Sequence, residues 1–152
     1  MPYQVIHFRD SEKLLKKKKM EKEISEALDF IDNAIYGAHN KGELLKQALK
    51  DIGWRNNGNL NFFDDRRYQY KGVKNKIGIE SNFCFYEFIL EGLLRLQIGY
   101  DKGKIAAGIL LLNSLRSKAN PHGNIVQIAS RDIENLYPTI SLPVTVVLFD
   151  LK

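Results

Sequence analysis

Apolar and polar residues alternate from Val73 to Phe83, the sharpest periodic signal in the chain. Val73, Ile77, Ile79 and Phe83 share one parity, and Lys74, Lys76, Glu80 and Asn82 share the other. Side chains two apart on a strand point the same way, so the stretch predicts one half-buried strand. Its polar face would carry two cations, a carboxylate and an amide. Phe85, Phe88, Ile89, Gly92, Leu93 and Leu96 then recur at helical spacing, and Tyr86, Leu90 and Leu94 widen the stripe. A helix apolar over so much of its surface predicts a central one, packed on the sheet and suited to a partner subunit as well. Asp101 to Lys104 ends it, and Ile105 to Leu112 is a continuous apolar run of the kind found in interior strands. Strand, helix and strand in this order predict a right-handed crossover with the two strands parallel.

The flanks are read in the same way. Tyr3 to Phe8 predicts a short strand. Arg9 to Glu23 is dense in charge, and its four lysines from Lys16 to Lys19 suit a solvated helix face or a basic arm resting on phosphates. Ile24, Ala27, Leu28, Ile31, Ala34 and Ile35 predict one helix, and Leu44, Leu45, Ala48, Leu49 and Ile52 a second from Gly42 to Ile52, stopped by Gly53. Trp54 to Lys71 predicts one or two strands, with a turn at Asn56-Asn57-Gly58-Asn59. Asn113 to Asn124 reads as a loop, Ile125 to Ile128 as a short strand, Asp132 to Leu136 as a helical turn, and Pro143 to Leu151 as a final strand. No repeat or linker divides the chain, so the pattern predicts one α/β domain over residues 1–152.

Composition adds bounds. The 152 residues are 44% hydrophobic and 27% charged, enough for a packed core. A formal charge of +5 favours an anionic partner. Cys84 is the single cysteine, which rules out an internal disulfide and suits a cytoplasmic setting. The first residues show no charged stretch leading into an apolar one, so no signal peptide is expected, and no apolar run is long enough to span a membrane. Walker, dinucleotide-binding, zinc-protease and serine-hydrolase signatures are missing. His7, His39 and His122 are scattered and read as surface or satisfied histidines, with the loop residue His122 held in reserve as a ligand or DNA contact.

What remains is a carboxylate chemistry. Hydrolysing a phosphodiester with a divalent cation needs neighbouring oxygen ligands, a group that positions water, and cations to offset developing charge. Glu80 could supply one ligand and Asn82 a water-positioning amide, with Asp64 or Asp65 bringing a second carboxylate from the preceding strand or turn. Lys71, Lys74, Lys76, Arg66 and Arg67 are the cations available to DNA phosphates. The same residues also fit a plain half-exposed strand face and a charged hairpin tip at Asp64-Asp65-Arg66-Arg67.

Three segments in order carry a resemblance. Val73-Lys74-Asn75-Lys76-Ile77-Gly78-Ile79-Glu80-Ser81-Asn82-Phe83, then Leu93 to Tyr100, then Ile105 to Leu111, resemble the core of BglII-type restriction endonucleases. Those enzymes have a similar Val-Lys-Asn-Arg strand running into Glu-x-Gln, a helix ending near Phe-Gln-x-Ala-Tyr, and a strand like Asp-Val-Gly-Val-Ile. The resemblance covers about Gly53 to Leu112. It implies the PD-(D/E)xK nuclease fold, a central mixed sheet flanked by helices, acting on double-stranded DNA with Mg²⁺ and commonly as a homodimer. It further implies that Glu80 is a metal ligand and that Asn82 stands at the family's Gln. Two positions depart from the pattern. The family's upstream Asp falls where this chain has Tyr70, Lys71 or Gly72, and the Asp of the crossover strand is replaced by Ala106. A type II endonuclease would therefore need Asp64 or Asp65 as its second carboxylate. The alternative is an inactive remnant of the fold that serves as a DNA-binding or dimeric interaction protein.

Overall fold

The computed structural model describes residues 3–55, 60–63, 68–114 and 124–151. Five strands form one mixed sheet: β1 (Tyr3–Phe8), β2 (Gly72–Lys74), β3 (Ile77–Asn82), β4 (Ala107–Asn113) and β5 (Val144–Phe149), in the spatial order β1-β5-β4-β3-β2. The inner pairs β3–β4 and β4–β5 are parallel, and the outer pairs β1–β5 and β2–β3 are antiparallel. The helices are α1 (Ser11–Lys17), α2 (Glu21–Ile35), α3 (Lys41–Asp51), α4 (Ile89–Asp101, entered through a 3-10 turn at Tyr86–Phe88) and α5 (Ile125–Asn135).

Both faces of the sheet are covered, which is what its apolar inner strands require. On one face α1, α2 and α3 pack Leu15, Ile24, Ile31, Leu45 and Leu49 against Ile77, Ile79, Ile109, Leu111, Val147 and Phe149. On the other, α4 and α5 pack Ile89, Leu93, Leu96, Ala129 and Ile133 against Leu110, Leu112, Val144, Val146 and Leu148. Alternate residues of β4 and β5 thus serve opposite layers. As the apolar run and its flanking helix predict, β3, α4 and β4 form a crossover that leaves the two strands parallel.

The alternating stretch from Val73 to Phe83 is not one strand. Asn75 and Lys76 both adopt positive φ, 50° and 60°, and Lys74 pairs with Ile77 across them, making a two-residue hairpin turn. The reversal changes the faces. Ile77 and Ile79 lie under α2 and α3 as a common face predicts, but Val73 packs into the opposite layer. Lys74 belongs to the α2 side, where its Nζ pairs with Glu23 at 2.8 Å. An Asn-Lys turn lacks the glycine that usually marks such a hairpin, so alternation ran straight through it in the sequence.

Other differences are local. The expected strand and helical turn after residue 124 are one helix, α5, whose start is capped by Asn124 Oδ1 accepting from Val126 N–H at 3.0 Å. The β-branched run Ile125-Val126 suggested a strand, but Ala129 and Ile133 sit four apart on the buried stripe. The charged segment from Arg9 is two helices broken at Lys19, whose φ is 58°. Lys16 pairs with Glu12 at 3.3 Å on an exposed helix face. Within Trp54 to Lys71, pairing among the described residues is one bridge, Asn61 to Gln69. Phe62 and Tyr70, whose rings are 4.8 Å apart, tie that ribbon to the core. Asn56–Asn59, Asp64–Arg67 and most of the loop after Asn113, including His122, lie outside the described residues.

Helix α4 is buried along Ile89, Gly92, Leu93, Leu96, Gln97 and Gly99, and exposes Leu90 and Leu94. Buried Gln97 is fully used. Its Oε1 accepts from the N–H groups of Ser141 and Leu142 at 2.8 and 3.0 Å, pinning the approach to β5. Gly99 lets Tyr70 cross beneath the helix, where the hydroxyl donates to Arg95 O at 2.7 Å. A Cβ at residue 99 would run into the Tyr70 ring and hydroxyl, which are held in the core. Gly99→Ala is therefore expected to destabilise the fold by about 1–3 kcal/mol, the usual cost of overpacking, measured by urea denaturation. An unchanged midpoint would show that Tyr70 is free to move.

Candidate functional site

Glu80 stands at the centre of the α4 face of β3, two residues from Gly78. Strand alternation aims it away from Ile77 and Ile79, as the sequence predicts, but the face is not half-exposed. Helix α4 covers it, and the Glu80 side chain is 3% accessible. Because Gly78 has no side chain, Ile105 and Leu96 close in beside it. Glu80, Lys71, Ser81, Asn82, Glu91 and Arg95 line a small cleft of about 170 Å³ between sheet and helix.

Two cations answer the buried carboxylate. Arg95 reaches down from α4, its Nε 3.3 Å from Glu80 Oε1. The approach is close enough for ion pairing but off the line a hydrogen bond needs, so both atoms are buried without one. Arg95 is fixed on two further sides, donating to Gln69 O at 3.1 Å and lying over the Phe62 ring at 5.1 Å. Lys71 precedes β2, where its N–H donates to Ile79 O at 2.9 Å, so its backbone runs beside β3. Its side chain lines the same cleft, and its charge acts on Glu80 across it.

Burial pushes the Glu80 carboxyl above its ordinary value of 4.5, against the opposing pull of Arg95 and Lys71. Burial pushes the Lys71 ammonium down. Glu80 opposes that shift, while Lys46, Arg95 and Arg55 add repulsion. Two cations thus face the buried carboxylate, Lys46 and Arg55 act on Lys71, and exposed Glu91 stands at the cleft's rim.

The other predicted residues are dispersed. Asn82 lines the cleft, but its Oδ1 accepts from Cys84 N–H at 2.9 Å and so holds the exit of β3. Lys74 is on the far face of the sheet with Glu23, which separates it from Glu80. Lys76 sits in the hairpin turn, its Nζ 3.5 Å from Gly103 O. Asp64, Asp65, Arg66 and Arg67 lie outside the described residues. Arg95 was missed by sequence reasoning. Its signal was a lone cation within Leu93-Leu94-Arg95-Leu96, in a helix otherwise written for burial.

Among the described residues the donor set does not fit Mg²⁺. That ion is bound by hard oxygens, usually one or two carboxylates together with waters. Here the buried carboxylate already faces an arginine and a lysine, and the described residues contain no group of three or more His, Cys, Asp or Glu that could hold a metal ion.

The raised carboxyl has a consequence for stability. The folded chain holds the Glu80 proton more tightly than the unfolded chain does. The folded state is therefore favoured fully below the unfolded value, near 4.5, and loses that advantage as pH rises through the raised folded value. Glu80→Gln removes the dependence, so wild-type stability relative to the variant should fall as pH climbs from 4.5 towards neutrality. Urea denaturation across that range checks it, and a flat or rising difference would contradict it.

No family model matches the sequence, and no curated protein matches it. Solved structures do. The crystal structure of restriction endonuclease BglII complexed with a DNA 16-mer superposes with a TM-score of 0.66 at 15% identity, covering 98% of this chain and 76% of that one. The crystal structure of free BglII gives 0.60 at 18% identity, covering 100% of this chain and 81% of the other. At these identities the likeness is one of architecture: this chain is an α+β protein with the mixed-sheet fold of the BglII restriction endonuclease.

Proposed function

We propose that this protein binds double-stranded DNA through the Glu80 cleft and its cationic surroundings, without cutting it. The observation that carries this reading is the pair of cations, Lys71 and Arg95, on the carboxylate where a nuclease of this fold would keep a metal ion. Lys46 and Arg55 extend the positive field, and the chain's net charge of +5 has the same sign. A DNA phosphate carries the charge that such a field attracts, and each contact releases counterions, so affinity should fall steeply with salt. A restriction-endonuclease fold solved on DNA supports the choice of duplex over other anions.

In this reading two copies pair through the exposed apolar edge formed by Phe85, Phe88, Leu90 and Leu94, which are 40–56% accessible. The lone, exposed Cys84 suits a cytoplasmic setting. No helix among the described residues is long and apolar enough to cross a membrane.

A second reading rests on Glu80 Oε1, a buried acceptor without a hydrogen bond. In a Mg²⁺-dependent type II endonuclease that oxygen would bind the metal together with Asp64 or Asp65. Arg66, Arg67 and Lys76 would meet phosphates, and Asn82 would orient water through its amide nitrogen. Lys74, paired with Glu23 on the far face, has no part in it.

The two readings separate cleanly. The first expects a fluorescently labelled duplex to bind with strong salt dependence, and Lys71→Ala to lower the slope of log K against log salt by about one. Plasmid DNA should survive Mg²⁺ or Mn²⁺ uncut. Cleavage that disappears in Glu80→Ala would establish the second reading. Absence of binding at low salt would remove the first.

A further inference from the structure

We infer that the Lys71 ammonium is a built-in substitute for a divalent cation: it balances Glu80 inside the cleft and keeps Mg²⁺ or Mn²⁺ out. This inference deepens the DNA-binding reading and rests on it for its biological meaning, though the charge argument concerns the cleft alone.

The cleft has the position and burial of a metal pocket but the wrong charges. Glu80 is almost wholly buried, on a strand, with Oε1 free of hydrogen bonds. An ionised carboxylate in such a place is strongly disfavoured unless a positive charge stands by it. Arg95 exerts the larger pull on Glu80 but is not the whole balance, because Lys71 opposes the shift as well and the Arg95 guanidinium also serves Gln69 O and the Phe62 ring. Lys71 has none of those commitments. Among the described residues its ammonium has no hydrogen bond or ion pair within bonding distance, yet it lines the cleft and its charge acts on Glu80. Burial disfavours the Lys71 ammonium and the charges of Lys46, Arg95 and Arg55 add to that, while Glu80 favours it.

A divalent cation entering the cleft would meet the same repulsion, with buried Glu80 and the exposed rim residue Glu91 to offset it. Exchanging Lys71 for an acid changes the sign of that balance. Lys71→Asp removes a cation and sets a second carboxylate beside Glu80 from an adjacent backbone segment, a hard-oxygen pair suited to Mg²⁺ or Mn²⁺.

The test uses the full chain, without DNA, and Mn²⁺ as the probe. Free Mn²⁺ is followed by its electron paramagnetic resonance signal, and stability by thermal melting. Wild-type protein should leave the free signal and the melting temperature unchanged at micromolar Mn²⁺. Lys71→Asp should remove signal with one ion per chain and melt higher when Mn²⁺ is added. Lys71→Asp/Glu80→Gln should do neither. Stoichiometric Mn²⁺ binding by wild-type protein that Glu80→Gln abolishes would overturn the inference, as would a cooperatively folded Lys71→Asp that takes up no more Mn²⁺ than wild type. If Lys71→Asp does not fold, the effects of Lys71→Met and Glu80→Gln on stability decide. Lys71→Met should cost less in the Glu80→Gln background, and strict additivity would overturn the charge-balance claim. Loss of DNA binding alone would touch only the reading in the preceding section.

Discussion

The structure around the cleft depends on one constraint, a carboxylate buried under a helix. Glu80 sits on an inner strand with 3% of its side chain accessible, where an unbalanced charge would cost several kcal/mol. Much of the local architecture is arranged to supply that balance. Arg95 interrupts an apolar helix to reach it, and the aromatic ribbon of Phe62 and Tyr70 holds the helix and its arginine in place. Gly99 admits the Tyr70 hydroxyl, and Gly78 lets the core close beside the strand. Lys71 enters because the hairpin turn at Asn75 and Lys76 folds its backbone alongside β3.

These contacts serve charge and packing together. Arg95 is both a countercharge for Glu80 and the lid of an aromatic cluster, so its removal would disturb two layers at once. Lys71 is different, since its ammonium adds charge to the cleft with no side-chain hydrogen bond among the described residues. That contrast makes Lys71 the residue through which the chemistry of the cleft can be changed with least effect on the fold.

The architecture was largely legible in the chain because its inner elements are written for burial. The apolar run of β4, the alternation of β3 and the stripe of α4 appear in order, and a parallel crossover follows from them. What sequence alone hid was reversal. Two consecutive residues at positive φ without a glycine turned an apparent strand into a hairpin and carried Lys74 to the far face. Glu80 was legible as a site residue from its parity, but its burial was not, because parity says which way a side chain points and nothing about what covers it. Arg95 was visible as an odd residue in an apolar helix, yet nothing in the spacing tied it to Glu80. The departure at Tyr70, Lys71 or Gly72 was legible only beside the endonuclease pattern, and the cleft that the fold builds is what draws attention to Lys71.

The central claim is that side-chain cations balance Glu80 in its cleft and keep a divalent metal ion out of it. The most direct measurement is anomalous diffraction from crystals of the wild-type protein soaked in Mn²⁺. The account predicts no anomalous peak in the cleft, with the Lys71 ammonium and the Arg95 guanidinium facing Glu80. A peak bonded to Glu80, with Lys71 swung out into solvent, would contradict it.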